Sequence, residues 1–118
     1  MPWIYSQTTG DLTRDGQLIA SGYSGAGAGR NNPAEQAVPN VGPIPQGRYR
    51  IGPAFEAPVQ GPCTMPLTPD GHHALGRFGF LIHGDNAAHD ASTGCIILPP
   101  EAREQIAASP DRELEVVA

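Results

Sequence analysis

A mainly β fold with one short helix near the C-terminus is what this sequence predicts, and three observations lead there. The apolar residues fall in short runs that alternate with polar ones or stop at glycine, as half-buried and buried strands do. Fifteen glycines and thirteen prolines in 118 residues cut the chain at short intervals, while 39% hydrophobic residues suffice for a core and argue against disorder. Only the stretch from Pro99 to Ser109 carries the start and stop signals of a helix. A chain of 118 residues supports one modest core, so residues 1–118 read as a single domain without repeat or linker.

Trp3 and Tyr5 flank Ile4 in a run that suits a strand. Asp15-Gly16, set between Leu12 and Leu18, is a two-residue hairpin turn, so the chain is expected to open as a β-hairpin. The glycine-rich run from Ser21 to Pro33 has no periodicity and lacks the Lys-Ser/Thr ending of a phosphate loop; it reads as a mobile surface loop lining a cleft. Gly42-Pro43-Ile44-Pro45-Gln46-Gly47 then punctuates the chain before Arg48–Ile51, a strand with Tyr49 and Ile51 on one face. Cys63, Met65 and Leu67 alternate in a further strand whose prolines favour a sheet edge.

Phe78, Phe80, Leu81 and Ile82 form the next apolar run, a buried strand that His83 ends. A loop rich in Gly, Asp, Asn and Ala follows, and Ser92-Thr93-Gly94-Cys95 leads into Ile96-Ile97-Leu98, which proline stops. In the helix, Pro99-Pro100-Glu101 suits the first turn and Pro110 ends it. Leu114, Val116 and Val117 complete a last strand.

Seven basic residues against twelve acidic give a net charge of −5, which argues against binding the phosphate backbone of nucleic acid. The first ten residues lack the basic start and apolar core of a secretory signal, and no window approaches a membrane span. The expectation is a chain made in the cytoplasm that does not enter the general secretion route. Cys63 and Cys95 form no Cys-x-x-Cys metal pair; a disulfide between them would remove either as a nucleophile.

Cys95 stands where a loop meets a strand, with Gly94 leaving space for a substrate to approach its sulfur. A free thiol is mostly protonated at neutral pH and needs an imidazole or a positive charge to become reactive. His83, twelve residues earlier at the end of a strand that can lie beside that of Cys95, is the natural supplier. The alternative is a buried, inert cysteine and a strand-end histidine without chemistry.

His83-Gly84 at a strand end, followed by Ser92-x-Gly94-Cys95-Ile96 after a loop, resembles the signature of the L,D-transpeptidase (YkuD-type) catalytic domain, and Gly42-Pro43-Ile44-Pro45-x-Gly47-x-Tyr49 resembles that family's upstream Pro-x-Gly segment. Trp3-x-Tyr5, Gly22-Tyr23-Ser24-Gly25, Asn31-Asn32-Pro33, Gly76-Arg77 and His83-Gly84-Asp85 bring the likeness closer to the L,D-transpeptidase-like toxins of bacterial type VI secretion. Two positions depart from the crosslinking members: Thr93 stands where most have His, and Ile97 where most have Arg. Ordinary crosslinking is therefore not the expected activity.

The resemblance implies a small β-sandwich or barrel-like catalytic domain without cofactor or metal. It also implies acyl transfer at peptidoglycan tetrapeptide stems, as L,D-carboxypeptidase or exchange enzyme. Cys95 would be the nucleophile and His83 the base, with Ser92, Asp85 or a backbone carbonyl orienting the imidazole and Asp85 favoured on chemistry. Backbone N–H groups of Thr93, Gly94 and Cys95 would form the oxyanion hole. Arg77 would bind a stem carboxylate or be a solvated strand residue, Tyr23 would line the cleft or pack in the core, and Gly84 would border the substrate. The implied partners are the stem peptide, type VI secretion components and a cognate immunity protein, and the implied place of action is the target cell's periplasm.

Two rivals stand beside this reading. His72, His73, His83, Asp85, His89, Asp90 and Cys95 are all possible metal ligands, although adjacent His72 and His73 would point to opposite faces of a strand. The other rival is a wall-binding module that keeps the fold without the activity.

Overall fold

The computed structural model describes residues 2–118. Its elements are β1 (Trp3–Ser6), β2 (Asp11–Arg14), β3 (Gln17–Ser21), β4 (Tyr23–Ser24), β5 (Gly47–Ile51), β6 (Phe55–Ala57), β7 (Gly61–Asp70), β8 (Phe80–His83), β9 (Ile96–Ile97), α1 (Pro100–Ala108) and β10 (Glu113–Val117). The strands pair in the order β3-β2-β1-β10-β5-β7-β8-β9-β4, with β6 added beside β7. β3 and β4, the two ends of this order, are separated in the chain by Gly22 alone, so the sheet curls into a nearly closed barrel. The seam is tight: Gly22 N–H donates to the Gly10 carbonyl at 2.7 Å, and a Cβ on Gly22 would stand 1.7 Å from the Ile97 carbonyl oxygen.

Period-two alternation places one face of each strand in a common core. Trp3 and Tyr5 of β1, Tyr49 and Ile51 of β5, Met65 and Leu67 of β7, and Leu114 and Val116 of β10 are buried there. Ala102 and Ile106 turn the helix onto the same core, and α1 runs from proline to the residue before Ser109 as its sequence signals require. The Asp15-Gly16 turn joins β2 to β3, both residues having left-handed φ of 52° and 78°. The chain opens in antiparallel hairpins as expected, that turn forming the second of them. β1 comes first and pairs in parallel with the final strand, Trp3 beside Leu114, and antiparallel with β2.

Three local expectations are corrected. β7 is not an edge strand but lies between β5 and β8. Its Pro66 accepts a hydrogen bond from Gly52 N–H at 2.8 Å but has no N–H to return, and Arg112 Nη2 donates to the Gly52 carbonyl at 2.8 Å instead. A distant arginine thus supplies the donor that proline lacks. Second, the run after Ser21 is not simply a surface loop, because Tyr23 and Ser24 are buried and pair with Ile97 and Ile96 of β9. Third, Phe78 lies outside β8 and is 90% exposed; Gly79, with φ of 80°, turns the chain between it and buried Phe80.

Candidate active site

β8 and β9 are parallel neighbours, with Ile82 beside Ile96 and His83 beside Ile97. That register sets Cys95 level with Leu81, one strand spacing of about 4.8 Å across and two residues short of the His83 level. Both residues line one cleft of about 240 Å³, together with Gly84, Asp85, Asn86 and Thr93. On its other side Cys95 borders a second cleft, of about 300 Å³, with Arg77, Phe78, Phe80, Thr93 and Gly94. Cys95 and Thr93 therefore form the ridge between the two.

The turn before Cys95 is built on the Ser92 hydroxyl. Ser92 Oγ donates to the Cys95 carbonyl at 2.6 Å and accepts from Gly25 N–H at 2.9 Å and Gly94 N–H at 3.1 Å. Ser92 is thus placed as the knot of the loop before Cys95, and one of the three candidate oxyanion donors, Gly94 N–H, is directed at it. Gly94 itself has φ of 146°, and a Cβ there would stand 2.4 Å from Arg77 Nη2. Glycine is required both by conformation and by the guanidinium pressed against it.

Both cysteines are free thiols. Cys95 Sγ sits 3.9 Å from the Gly79 carbonyl and faces the Leu81 N–H. Burial pushes the thiol pKa up, and the Leu81 N–H and the Arg77 charge partly counter it by favouring the thiolate. His83 moves the other way: burial lowers its pKa, the Gly84 carbonyl raises it, Arg103 lowers it and Asp85 raises it. Both directions favour the uncharged thiol and the uncharged imidazole.

The imidazole is oriented by backbone. His83 Nδ1 lies 2.9 Å from the Gly84 carbonyl, which can only accept, so Nδ1 carries the proton and Nε2 keeps its lone pair. Of the three orienting groups the sequence left open, the Gly84 carbonyl is the one bonded to the ring. The Asp85 carboxylate accepts from Tyr23 Oη at 2.5 Å, Asn86 N–H at 2.8 Å and His89 Nδ1 at 2.7 Å. Burial works to raise the Asp85 pKa, but these three donors outweigh it and hold the carboxyl below its usual range.

Arg77 is neither a solvated strand residue nor an open fork. Its buried guanidinium donates to the carbonyls of Gln36 and Pro43, both at 2.7 Å, Gly42 at 3.1 Å and Thr93 at 3.4 Å, and burial lowers its pKa. Tyr23 is buried away from both clefts that Cys95 borders and lines a third hollow with Asp85 and Arg103.

Arg103 escaped the sequence reading. It is 7% exposed, donates to the carbonyls of Leu98 at 3.1 Å and Pro62 at 2.6 Å, and backs onto Gly84, where any Cβ would meet Nη2 at 2.9 Å. Its only signal was position: an arginine beside Ala102 on the helical face that buries Ile106. Among the described residues no three of His, Cys, Asp and Glu stand close enough to hold a metal ion. His72 is turned away from the site, its Nε2 2.7 Å from the Arg48 carbonyl and its Nδ1 accepting from Ala74 N–H at 3.1 Å.

A nearly closed small barrel thus opens a thiol and an imidazole into one cleft. Residues 19–117 match the Tlde1 domain, and the chain belongs to that family of type VI secretion L,D-transpeptidase-like effectors. No curated protein matches the chain.

Proposed function

We propose that this protein is a cysteine enzyme that removes or exchanges the terminal D-alanine of peptidoglycan tetrapeptide stems, acting as an antibacterial type VI effector. The observation that carries the reading is the Nδ1 bond from His83 to the Gly84 carbonyl, which leaves Nε2 basic in the same cleft as the Cys95 thiol. As Sγ attacks the carbonyl before D-alanine, its proton passes to Nε2 and a C–S bond forms. Thr93 and Cys95 N–H are the backbone donors for the resulting oxyanion, with the Arg77 charge close by. Nε2 returns the proton to the departing amine as the C–N bond breaks, leaving a thioester.

Water, or the amine of a free D-amino acid, then gives its proton to Nε2 and attacks the thioester. The C–S bond breaks, Sγ regains the proton, and a tripeptide or an exchanged stem departs. Because one base serves departure and arrival, the leaving D-alanine and the incoming nucleophile share the His83 cleft, and the acyl part of the stem takes the Arg77–Phe78 cleft. The family is one of type VI effectors, and delivery into a target cell's periplasm, with a cognate immunity protein protecting the producer, is the setting proposed with it.

The test is mass analysis of disaccharide-tetrapeptide incubated with the enzyme, with and without a free D-amino acid. Conversion to tripeptide or to a swapped terminus is expected, and cleavage within the glycan would refute the proposal. A wall-binding module without activity is separated by thiol reactivity: Cys95 alkylating no faster than Cys63, together with no turnover, would favour it.

A further inference from the structure

The loop between base and nucleophile is closed upon itself and attached to the sheet at few points. Asn86 Nδ2 donates to Asp90 Oδ1 at 2.8 Å, Asp90 N–H donates to Asn86 Oδ1 at 3.1 Å, and His89 N–H donates to the Asn86 carbonyl at 3.2 Å. Residues 86–90 are all exposed, so burial does little to hold them.

Its two ends are tied together and to the sheet by one phenol oxygen, and its middle is held by Arg30. Tyr23 Oη donates to Asp85 Oδ1 at 2.5 Å and accepts from Ala91 N–H at 2.9 Å, joining the start of the loop to its end. The ring is buried, and the Arg30 guanidinium lies 3.6 Å above it while also donating to the His89 carbonyl. The side carrying the base follows from covalent geometry. The Gly84 carbonyl that holds His83 Nδ1 belongs to the rigid peptide plane between Gly84 and Asp85, so anchoring Asp85 sets the direction of that oxygen. On the other side, Ala91 adjoins Ser92, whose hydroxyl shapes the Cys95 turn.

We infer that Tyr23 is a positioning residue for catalysis: its hydroxyl fixes the plane of the Gly84 carbonyl, and through it the tautomer and orientation of the His83 imidazole. This rests on the thiol–imidazole reading of the site and adds to it a residue that touches neither reacting atom. Without the phenol oxygen, Asp85 loses its link to the sheet, the Gly84–Asp85 plane rotates, and Nδ1 no longer holds its proton in preference to Nε2. A misplacement of the base by about 1 Å is enough to cost on the order of a hundredfold in turnover.

Tyr23→Phe keeps the ring, its burial and the Arg30 stacking while deleting both hydrogen bonds. The imidazole 15N shifts of His83, assigned by comparison with His83→Gln, report the tautomer directly, and kcat and KM on disaccharide-tetrapeptide report the consequence. The expected result is a wild-type His83 spectrum of the Nδ1–H form and a Tyr23→Phe spectrum shifted toward Nε2–H, with kcat down tenfold to a hundredfold and KM within about twofold. Should Tyr23→Phe not fold, Asp85→Ala cuts the same connection at a partly exposed residue and is expected to give the same shift. A folded variant whose His83 remains wholly Nδ1–H overturns the inference whatever its turnover. If neither wild type nor variant acts on the stem, the functional reading fails while the tautomer still decides the role of Tyr23.

Discussion

On one side of Cys95 the cleft wall is a buried cation that gathers backbone carbonyls from three stretches of chain; on the other it is an exposed loop held by side-chain hydrogen bonds. Arg77 ties residues 36, 42 and 43 to Thr93 and leaves Gly94 no space for a side chain. The Gly84–Ala91 loop is built around Asp85, Asn86 and Asp90, and its outer residues face water. The contrast separates two tasks. The Arg77 wall contributes stability and a fixed charge near the sulfur, whereas in the proposed reaction the loop orients the base, so their variants should divide between unfolding and turnover.

The largest effect on stability is expected from Arg77→Gln. Charge-assisted bonds to four carbonyls disappear, so unfolding free energy should fall by about 3 kcal/mol and the melting temperature by roughly 10 °C. A melting temperature within 2 °C of wild type would erase the distinction between the walls. Asp85→Ala should behave in the opposite way, with a stability change within about 1 kcal/mol because its hydrogen-bond partner His89 is exposed, and turnover reduced more than tenfold. Denaturant melts and product assays on one preparation check both halves.

Burial holds the folded His83 pKa below its ordinary value, so the unfolded chain takes up the proton first as pH falls through about 6.5, and stability present above that pH is lost until the folded form also protonates. His83→Gln should flatten this part of the stability–pH curve; an unchanged slope would place the loss elsewhere. Asp85, whose folded pKa is also held low, loses its contribution further down, as pH falls from about 4. The smallest stability effect belongs to Phe78→Ala. At 90% exposure it should leave stability within about 0.5 kcal/mol while raising KM for the stem a few-fold. An unchanged KM would remove Phe78 from the acyl cleft.

How much of this was legible in the sequence follows the range of the interactions. His83 and Cys95 announced themselves because strand ends, a loop and Gly94 are local features, and the Asp15-Gly16 turn and the proline-bounded helix were equally local. The central position of β7 was hidden because the donor missing at Pro66 is replaced by Arg112, which no local pattern reveals. Arg77 looked like a surface or ligand-binding residue because the carbonyls around it come together only on folding. The sequence left Ser92, Asp85 and a backbone carbonyl open as the group that orients His83; the Gly84 carbonyl is the one bonded to Nδ1, and a main-chain acceptor leaves no trace in residue type.

In the proposed reaction the Cys95 sulfur becomes bonded to the stem. Intact-protein mass measurement after rapid acid quench of enzyme with tetrapeptide substrate tests it most directly. A mass increase equal to the acyl stem without D-alanine, localised to the peptide bearing Cys95 and absent from Cys95→Ala, is the outcome required. Turnover by Cys95→Ala at the wild-type rate, or an adduct on any other residue, would contradict it.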